Sequence, residues 1–137
     1  MKIFGIGTDI VNIKRIDKSL KKYGVNFKNK IFSKKEINYC EKKKNPSAFY
    51  AKRFAAKEAF SKALGTGIRK GVNLKNIEIS NNVNGKPSIT LRGKVADLLK
   101  KQVKDRKEKR KNLDSIKYGG ESPLGGYNDV ETDEEDL

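Results

Sequence analysis

The sequence has no histidine and a single cysteine, Cys40. One cysteine cannot form a disulfide within the chain, and the lack of imidazole and of further thiols excludes a zinc site built from these ligands. The sequence also lacks an apolar run of about 20 residues, which a membrane-spanning helix requires. Because no apolar stretch follows basic residues at the N-terminus, we see no secretory leader and expect a soluble, cytoplasmic protein.

Acidic residues are scarce over most of the chain and concentrated at its end. All 32 lysine and arginine residues precede Tyr118, whereas seven of the 17 acidic residues and no basic residue follow it. The body of the protein is therefore strongly basic, and such a field attracts nucleic acid or acidic proteins. A solvated basic surface without a binding role explains the charge equally well, so composition alone selects no partner.

The 137 residues fit one domain, although charged residues (36%) slightly outnumber hydrophobic ones (35%). Residues 104–111 have no apolar face, and the residues that follow are rich in glycine and then in acid. Such a segment cannot bury enough apolar surface to offset its ordering entropy. We therefore interpret residues 1–103 as the folded domain and residues 104–137 as a charged, disordered tail.

Alternation of apolar residues predicts a strand over residues 2–13, in which Gly5, Gly7 and Asp9 share a face with room for another backbone or a ligand. A helix is predicted over residues 14–23, where Gly24 stops it. Ser33 and Glu36 are spaced as a capping box, which predicts a second helix through about Lys44.

A third and longest helix is predicted between Asn45, as its cap, and Gly65, with Pro46 in the first position. Four residues at helical spacing are expected to form its core stripe: Phe49, Ala56, Phe60 and Ala63. Strands are predicted at Ile77–Asn81 and Pro87–Leu91, joined by an Asn-Gly hairpin turn, and a last helix from Gly93 to about Val103.

The third helix also has a polar face, because Glu58, Ser61, Lys62 and Gly65 follow at intervals of three and four. A glutamate four residues before a lysine is ordinarily an exposed ion pair without further role. Asp9 changes the interpretation, since a lone carboxylate among apolar residues and glycines requires a cation. If the strand packs beside the helix, Asp9 and Glu58 could share Mg²⁺, which prefers carboxylate and phosphate oxygens.

Two segments of the chain resemble the signature segments of holo-acyl-carrier-protein synthases, a family of phosphopantetheinyl transferases. They read GIGTDIV at residues 5–11 and RFAAKEAFSKALGTG at residues 53–67. Shorter matches lie in the family's order and spacing at residues 31–36, 77–79 and 84–87, so the resemblance covers about residues 1–102. It implies the family's α+β phosphopantetheinyl-transferase fold, with helices packed on a small antiparallel sheet.

The activity implied by this resemblance is transfer of 4'-phosphopantetheine from coenzyme A to a serine of apo-acyl-carrier protein, for fatty acid biosynthesis. The resemblance implies that Asp9 and Glu58 bind Mg²⁺ or Mn²⁺ on the coenzyme A pyrophosphate. It makes Lys62 the cation that neutralises this pyrophosphate and Glu58 the candidate base. Further coenzyme A contacts are implied for Arg53, Ser61, Gly65, Asn84, Gly85 and Pro87.

The resemblance also implies partners. Arg15 and the basic first helix correspond to the surface that docks the acidic carrier protein, and the family forms a homotrimer. The family's terminal strand pair, which carries a histidine motif, has no counterpart in residues 104–137. Without those strands the sheet has an open edge and lacks part of the trimer interface, so the sequence leaves the oligomeric state open.

Two alternatives to an active transferase remain at this point. The chain could be an inactive, truncated or frameshifted remnant of such an enzyme, because the terminal strands are missing. It could instead be a basic module that binds nucleic acid, as the lysine-rich run at residues 104–111 suggests. The second alternative leaves Asp9 and Glu58 unexplained and lacks the exposed aromatic residues of a base-stacking surface.

Overall fold

The computed structural model describes residues 3–65 and 72–119. Contacts divide the chain into two units, Ile6–Asp97 and the combination of Met1–Gly5 with Leu98–Leu137. The elements, in chain order, are α1 (Ile13–Ile31), α2 (Lys34–Glu41), α3 (Pro46–Ala63), a 3₁₀ turn (Leu74–Asn76), β1 (Ile77–Asn81), β2 (Pro87–Leu91) and α4 (Gly93–Gly119). Helices with a small antiparallel sheet confirm the predicted α+β class.

Local sequence signals account for how α2 and α3 begin. The Ser33 hydroxyl accepts from the Glu36 amide at 3.2 Å, and the Glu36 carboxylate accepts from the Ser33 amide at 2.8 Å. This capping box is the one predicted, although α2 ends three residues before Lys44. Pro46 occupies the first turn of α3 as expected, but the Asn45 side chain makes no capping hydrogen bond there.

Gly24 interrupts α1 as predicted, yet the chain returns to a helix after it. The backbone of Gly24 has φ +54°, a left-handed value that favours glycine. The second part of the helix ends at Ile31, so the prediction of a helix confined to residues 14–23 is too short. Phe27 and Ile31 pack against the core, and this burial stabilises the second part.

The core of the first unit lies where α1, α2 and α3 meet. Phe32, Cys40 and Tyr50 are fully buried there, with the rings of Phe32 and Tyr50 4.8 Å apart between centroids. Burial raises the pKa of the Cys40 thiol to about 11. The tight packing of these side chains fixes the three helices relative to one another.

The buried face of α3 differs from the predicted core stripe. Phe49, Ala56, Phe60 and Ala63 are only half-buried. The buried residues on this helix are instead Ser47, Tyr50, Ala51, Arg53, Lys57 and Ser61. The prediction was wrong because it counted apolar residues only, whereas α3 buries polar side chains that find hydrogen-bond partners.

The strand predicted over residues 2–13 does not form: the described residues 3–12 have no regular secondary structure, and Ile13 begins α1. The sheet that the structure describes has two strands, β1 and β2, which pair antiparallel with Ile79 opposite Ile89. Because a strand requires a hydrogen-bonded neighbour, residues 3–12 remain outside any sheet. Ile6 and Ile10 are consequently 77% and 97% exposed.

The hairpin of β1 and β2 has the predicted bounds, and Gly85 in its turn has φ +84°. The sequence predicts that the last helix ends near Val103 and that disorder follows. This is wrong for residues 104–119, because α4 continues to Gly119. Lysine, arginine and glutamate are good helix formers, which offsets the lack of an apolar face. Within the second unit, the Arg106 guanidinium lies 4.0 Å from the centre of the Phe4 ring.

The rest of the predicted tail, residues 120–137, lies outside the described residues. In the described part of the chain, no helix combines the length and the apolar character needed to span a membrane.

Candidate functional site

The N-terminal segment lies directly against α3 at Gly7. A Cβ atom built on Gly7 would come within 1.9 Å of the Ala59 carbonyl oxygen, so this contact leaves room for glycine only. The close approach confirms the expectation that the glycine face accommodates another backbone. It also places Thr8 and Asp9 beside the polar face of α3.

Lys62 connects the helix to this segment. Its Nζ donates to Asp9 Oδ1 at 2.8 Å and to the Thr8 carbonyl at 3.1 Å. The side chain of Asp9 is 15% exposed, whereas that of Lys62 is 52% exposed. The lysine charge therefore remains open to an approaching anion while the carboxylate is largely covered.

Glu58 lies one turn before Lys62 and lines the same cavity as Asp9. Burial, followed by the negative charge of Asp9, raises the pKa of Glu58, and Lys62 offsets part of this shift. A cation bound between the two carboxylates would relieve this repulsion. The described residues contain no group of three or more His, Cys, Asp or Glu side chains that could hold a metal. A pair of carboxylates suits Mg²⁺, which takes its other ligands from phosphate and water.

The cavity beside these carboxylates has a volume of about 280 Å³. Its wall combines the apolar side chains of Ile16, Phe27 and Phe54 with the exposed Arg15 of α1. Arg15 is thus close to the predicted metal ligands, as a carrier-protein contact would need to be. The structure brings together Asp9, Glu58 and Arg15 around a single opening.

A second groove, of about 490 Å³, lies between α2, α3 and the hairpin. Arg53 forms part of it and is 4% exposed, with its guanidinium 4.1 Å from the centre of the Tyr39 ring. Arg53 Nη2 donates to Asn81 Oδ1 at 2.9 Å, but its buried Nε has no hydrogen-bond partner among the described residues. A buried donor without a partner is costly, and a ligand would satisfy it only if the side chains that cover this nitrogen moved aside.

Only some of the remaining predicted coenzyme A contacts line this groove. Gly85 and Pro87 line this groove, whereas Asn84 does not. Ser61 is fully buried, and its hydroxyl donates to the Lys57 carbonyl at 3.0 Å, so its side chain is not presented to a ligand. Gly65 is exposed at the end of α3 with φ +80°.

Sequence reasoning missed several side chains that shape the groove, notably Tyr39, Lys52 and Asn81. Lys52 lies 4.7 Å from the centre of the Phe49 ring and adds positive charge at the groove. These residues come from three elements and share no spacing, so the sequence contains no local signal that would group them.

Comparison with known proteins agrees with the motifs. The sequence model of the 4'-phosphopantetheinyl transferase superfamily matches residues 5–114. The holo-[acyl-carrier-protein] synthase of Pelagibacter ubique is 52% identical over 104 residues, which are 76% of this chain and 80% of the relative.

Solved structures give the same result. The holo-[acyl-carrier-protein] synthase of Neisseria meningitidis has a TM-score of 0.67 and 44% identity, covering 73% of this chain and 80% of that one. That of Helicobacter pylori, solved in complex with coenzyme A, has a TM-score of 0.60 and 41% identity, covering 67% and 77%. The chain therefore belongs to the 4'-phosphopantetheinyl transferase superfamily and, within it, to the holo-[acyl-carrier-protein] synthases.

Proposed function

We propose that the protein transfers 4'-phosphopantetheine from coenzyme A to a serine of apo-acyl-carrier protein. The observation that carries this proposal is the convergence of Asp9, Glu58 and Lys62 at one end of α3, in a member of the holo-[acyl-carrier-protein] synthases. Two carboxylates and an accessible lysine suit a reaction in which negative charge builds up on phosphate oxygens.

Asp9 and Glu58 would hold Mg²⁺, or Mn²⁺, against the pyrophosphate of coenzyme A. When bound, the metal would withdraw electron density from the phosphate oxygens and so favour departure of the leaving group. Lys62 would neutralise the same pyrophosphate, because its side chain is half exposed and its Nζ lies beside Asp9. Both charges act where they are needed in the transition state.

Glu58 is the proposed base. The serine hydroxyl oxygen forms a bond to the phosphorus that bears the pantetheine, and the bond from that phosphorus to the bridging oxygen breaks. The leaving group is 3',5'-ADP, and the serine proton passes to Glu58, directly or through water. The raised pKa of Glu58 makes it a better proton acceptor than an ordinary carboxylate.

The groove around Arg53 would bind the nucleotide part of coenzyme A. The Arg53 guanidinium brings a positive charge to this groove, and Gly85 has no side chain that would keep a ligand from the hairpin. Gly65 would contribute at the end of α3, near Lys62. The related synthase of Helicobacter pylori was solved in complex with coenzyme A, which supports coenzyme A as the ligand of this chain.

The acidic carrier protein would dock on α1. Arg15 of this helix lines the same cavity as Glu58. Further exposed basic residues on the helix are Lys14, Lys18, Lys21 and Lys22. Attraction between opposite charges at this surface would accelerate encounter and weaken as salt is added.

A second candidate is a folded family member without transferase activity. It is favoured by the N-terminal segment, which carries Asp9 but pairs with no strand in the described part of the chain. Such a segment would hold Asp9 less firmly than a strand of a sheet would.

One assay separates the two candidates. The protein is incubated with coenzyme A, apo-carrier protein and Mg²⁺, and mass spectrometry measures addition of one phosphopantetheine per carrier. We expect addition with Mg²⁺ or Mn²⁺ and none in excess chelator. No addition under any condition would favour the inactive candidate. Undiminished addition in chelator would contradict the assignment of Asp9 and Glu58 as metal ligands.

A further inference from the structure

Lys57 of α3 and Glu36 of α2 form a fully buried ion pair. Lys57 is the residue before Glu58, and neither its side chain nor that of Glu36 is exposed. Lys57 Nζ donates to Glu36 Oε1 at 2.7 Å and to the Leu74 carbonyl at 2.8 Å. The lysine of α3 is thereby attached to both α2 and the 3₁₀ turn that leads into β1.

Glu36 extends this network to the hairpin. Its Oε1 accepts from the Ser33 amide as well as from Lys57, and its Oε2 accepts from the Ile79 amide of β1 at 2.9 Å. A single carboxylate thus binds donors from α2, α3 and the middle of β1. In the described part of the chain, no other carboxylate accepts hydrogen bonds from three elements.

Stability alone is a poor explanation for such a pair. Desolvation of two buried charges offsets much of their attraction, and apolar residues of similar size often serve as well or better. What apolar residues cannot supply is direction, because a hydrogen bond fixes the position of both partners. The pair is therefore suited to fixing the positions of α2, α3 and β1 relative to one another.

The groove around Arg53 is lined partly by α3 and β1, the two elements that Glu36 and Lys57 hold together. Arg53 is one turn before Lys57 on α3, and Asn81 is two residues after Ile79 on β1. The hydrogen bond between Arg53 and Asn81, at 2.9 Å, spans the groove from one element to the other. A shift of β1 along α3 would break this bond and displace the hairpin residues Gly85 and Pro87.

We propose that Glu36 and Lys57 are positioning residues for nucleotide binding, which hold β1 in the register that allows Arg53 and Asn81 to shape the groove. The inference rests on the proposed function, since it takes the nucleotide of coenzyme A as the ligand. The pair touches neither the ligand nor the reacting atoms, and it acts through Arg53 and Asn81.

The test replaces both charges together with apolar residues, in the double variant Glu36→Leu and Lys57→Met. Its control is Glu78→Leu with Arg92→Met, which removes another ion pair (3.3 Å) at the same hairpin without touching Glu36. Calorimetry measures binding of 3',5'-ADP, and hydrogen exchange measures protection of the β1 amides.

We expect the Glu36/Lys57 variant to bind 3',5'-ADP at least about tenfold more weakly than the control variant, with faster exchange at Ile79. In the transfer assay, KM for coenzyme A should rise while KM for the carrier protein stays within about twofold. Equal affinity in both variants, together with unchanged exchange at Ile79, would overturn the inference.

If the double variant does not fold, Glu36→Gln supplies the same test, because it keeps the size of the side chain and removes its charge. Its affinity for 3',5'-ADP should fall at least about threefold, and unchanged affinity would count against the inference. Failure of the wild-type chain to bind 3',5'-ADP would instead contradict the proposed groove. Exchange at Ile79 would then still decide whether the pair holds β1.

Discussion

We propose two roles for Lys62, because its Nζ forms an ion pair with Asp9 at 2.8 Å while its side chain is half exposed to an approaching phosphate. We predict that Lys62→Ala lowers the transfer rate more than about tenfold. Alanine is the better helix former, so α3 should remain intact. The rate is measured by mass spectrometry of the carrier protein.

The control for this variant is Lys42→Ala, at an exposed lysine just beyond α2. It removes the same charge from the protein at a distance from Asp9. Equal and small losses in both variants would mean that Lys62 is merely a solvated partner of Asp9.

Glu41 is expected to make stability depend on pH. The Tyr50 hydroxyl donates to it at 2.5 Å, and together with Lys28 this holds the pKa of Glu41 below its ordinary value of 4.5. A carboxyl whose pKa is lower in the folded state stabilises the protein above about pH 4.5, and this contribution is lost as the pH falls through the folded value. Glu41→Gln should therefore flatten the decline of Tm below that pH.

The exposed Glu108 of α4 provides the comparison, as Glu108→Gln should leave the same decline unchanged. Because the Glu41 side chain is 45% exposed, we expect a small difference between the two variants. Identical pH curves for Glu41→Gln and the wild type would show that the Tyr50 contact contributes nothing to stability.

At the level of elements, the contact of the segment around Gly7 with α3 depends on this glycine. A methyl group at this position would collide with the Ala59 backbone, which cannot move without distorting α3. We predict that Gly7→Ala pushes the segment away from the helix, destabilises the protein by about 1–3 kcal/mol and reduces transfer more than about tenfold. Thermal unfolding and the transfer assay measure the two effects.

Thr8→Ala is the matched change in the same segment, since Thr8 is exposed and its backbone carbonyl, which contacts Lys62, is retained. It should have little effect on either measurement. Normal activity in Gly7→Ala would indicate that Asp9 does not need its present position beside Glu58.

Elements whose signals are local could be predicted from the sequence. Ser33 with Glu36 marks the start of α2, Pro46 that of α3, and the Asn-Gly pair the hairpin, because each signal lies within a few residues. The strand predicted at residues 2–13 failed because a strand depends on a partner elsewhere in the chain. The prediction of an apolar stripe on α3 failed for a similar reason. The helix buries Lys57 instead, and the partner that allows this, Glu36, lies on α2.

The same distinction between local signals and distant partners applies to the residues of the candidate site. Asp9, Glu58 and Lys62 could be predicted because their spacing and the family resemblance identify them directly. Tyr39 and Asn81 meet Arg53 only after three elements have packed together. The resemblance implies a coenzyme A contact for Ser61, and sequence position does not reveal that its buried hydroxyl donates to the Lys57 carbonyl of its own helix.

At the level of the whole molecule, the charge of the chain is divided between a basic body and seven acidic residues within residues 120–137. That segment is poor in apolar residues, so it has little to gain from packing. We predict that its deletion changes Tm by less than about 3 °C. At low salt, deletion should also lower KM for the acidic carrier protein, because the two compete for the same basic surface.

This competition should fade as salt screens the charges, so the two chains should have similar KM values at about 0.5 M salt. Thermal unfolding and the salt series measure stability and competition separately. A large fall in Tm on deletion would show that residues 120–137 pack against the rest of the protein.

The buried Cys40 makes the protein convenient for site-specific labelling. With its pKa near 11, only about one in ten thousand of these thiols is ionised at pH 7, and the surrounding core excludes reagents. A cysteine introduced by Val83→Cys, at a fully exposed position beside the groove, should take up one maleimide dye per chain, and the unaltered protein none. Fluorescence from that position would then report on nucleotide binding without removal of any native residue from the core.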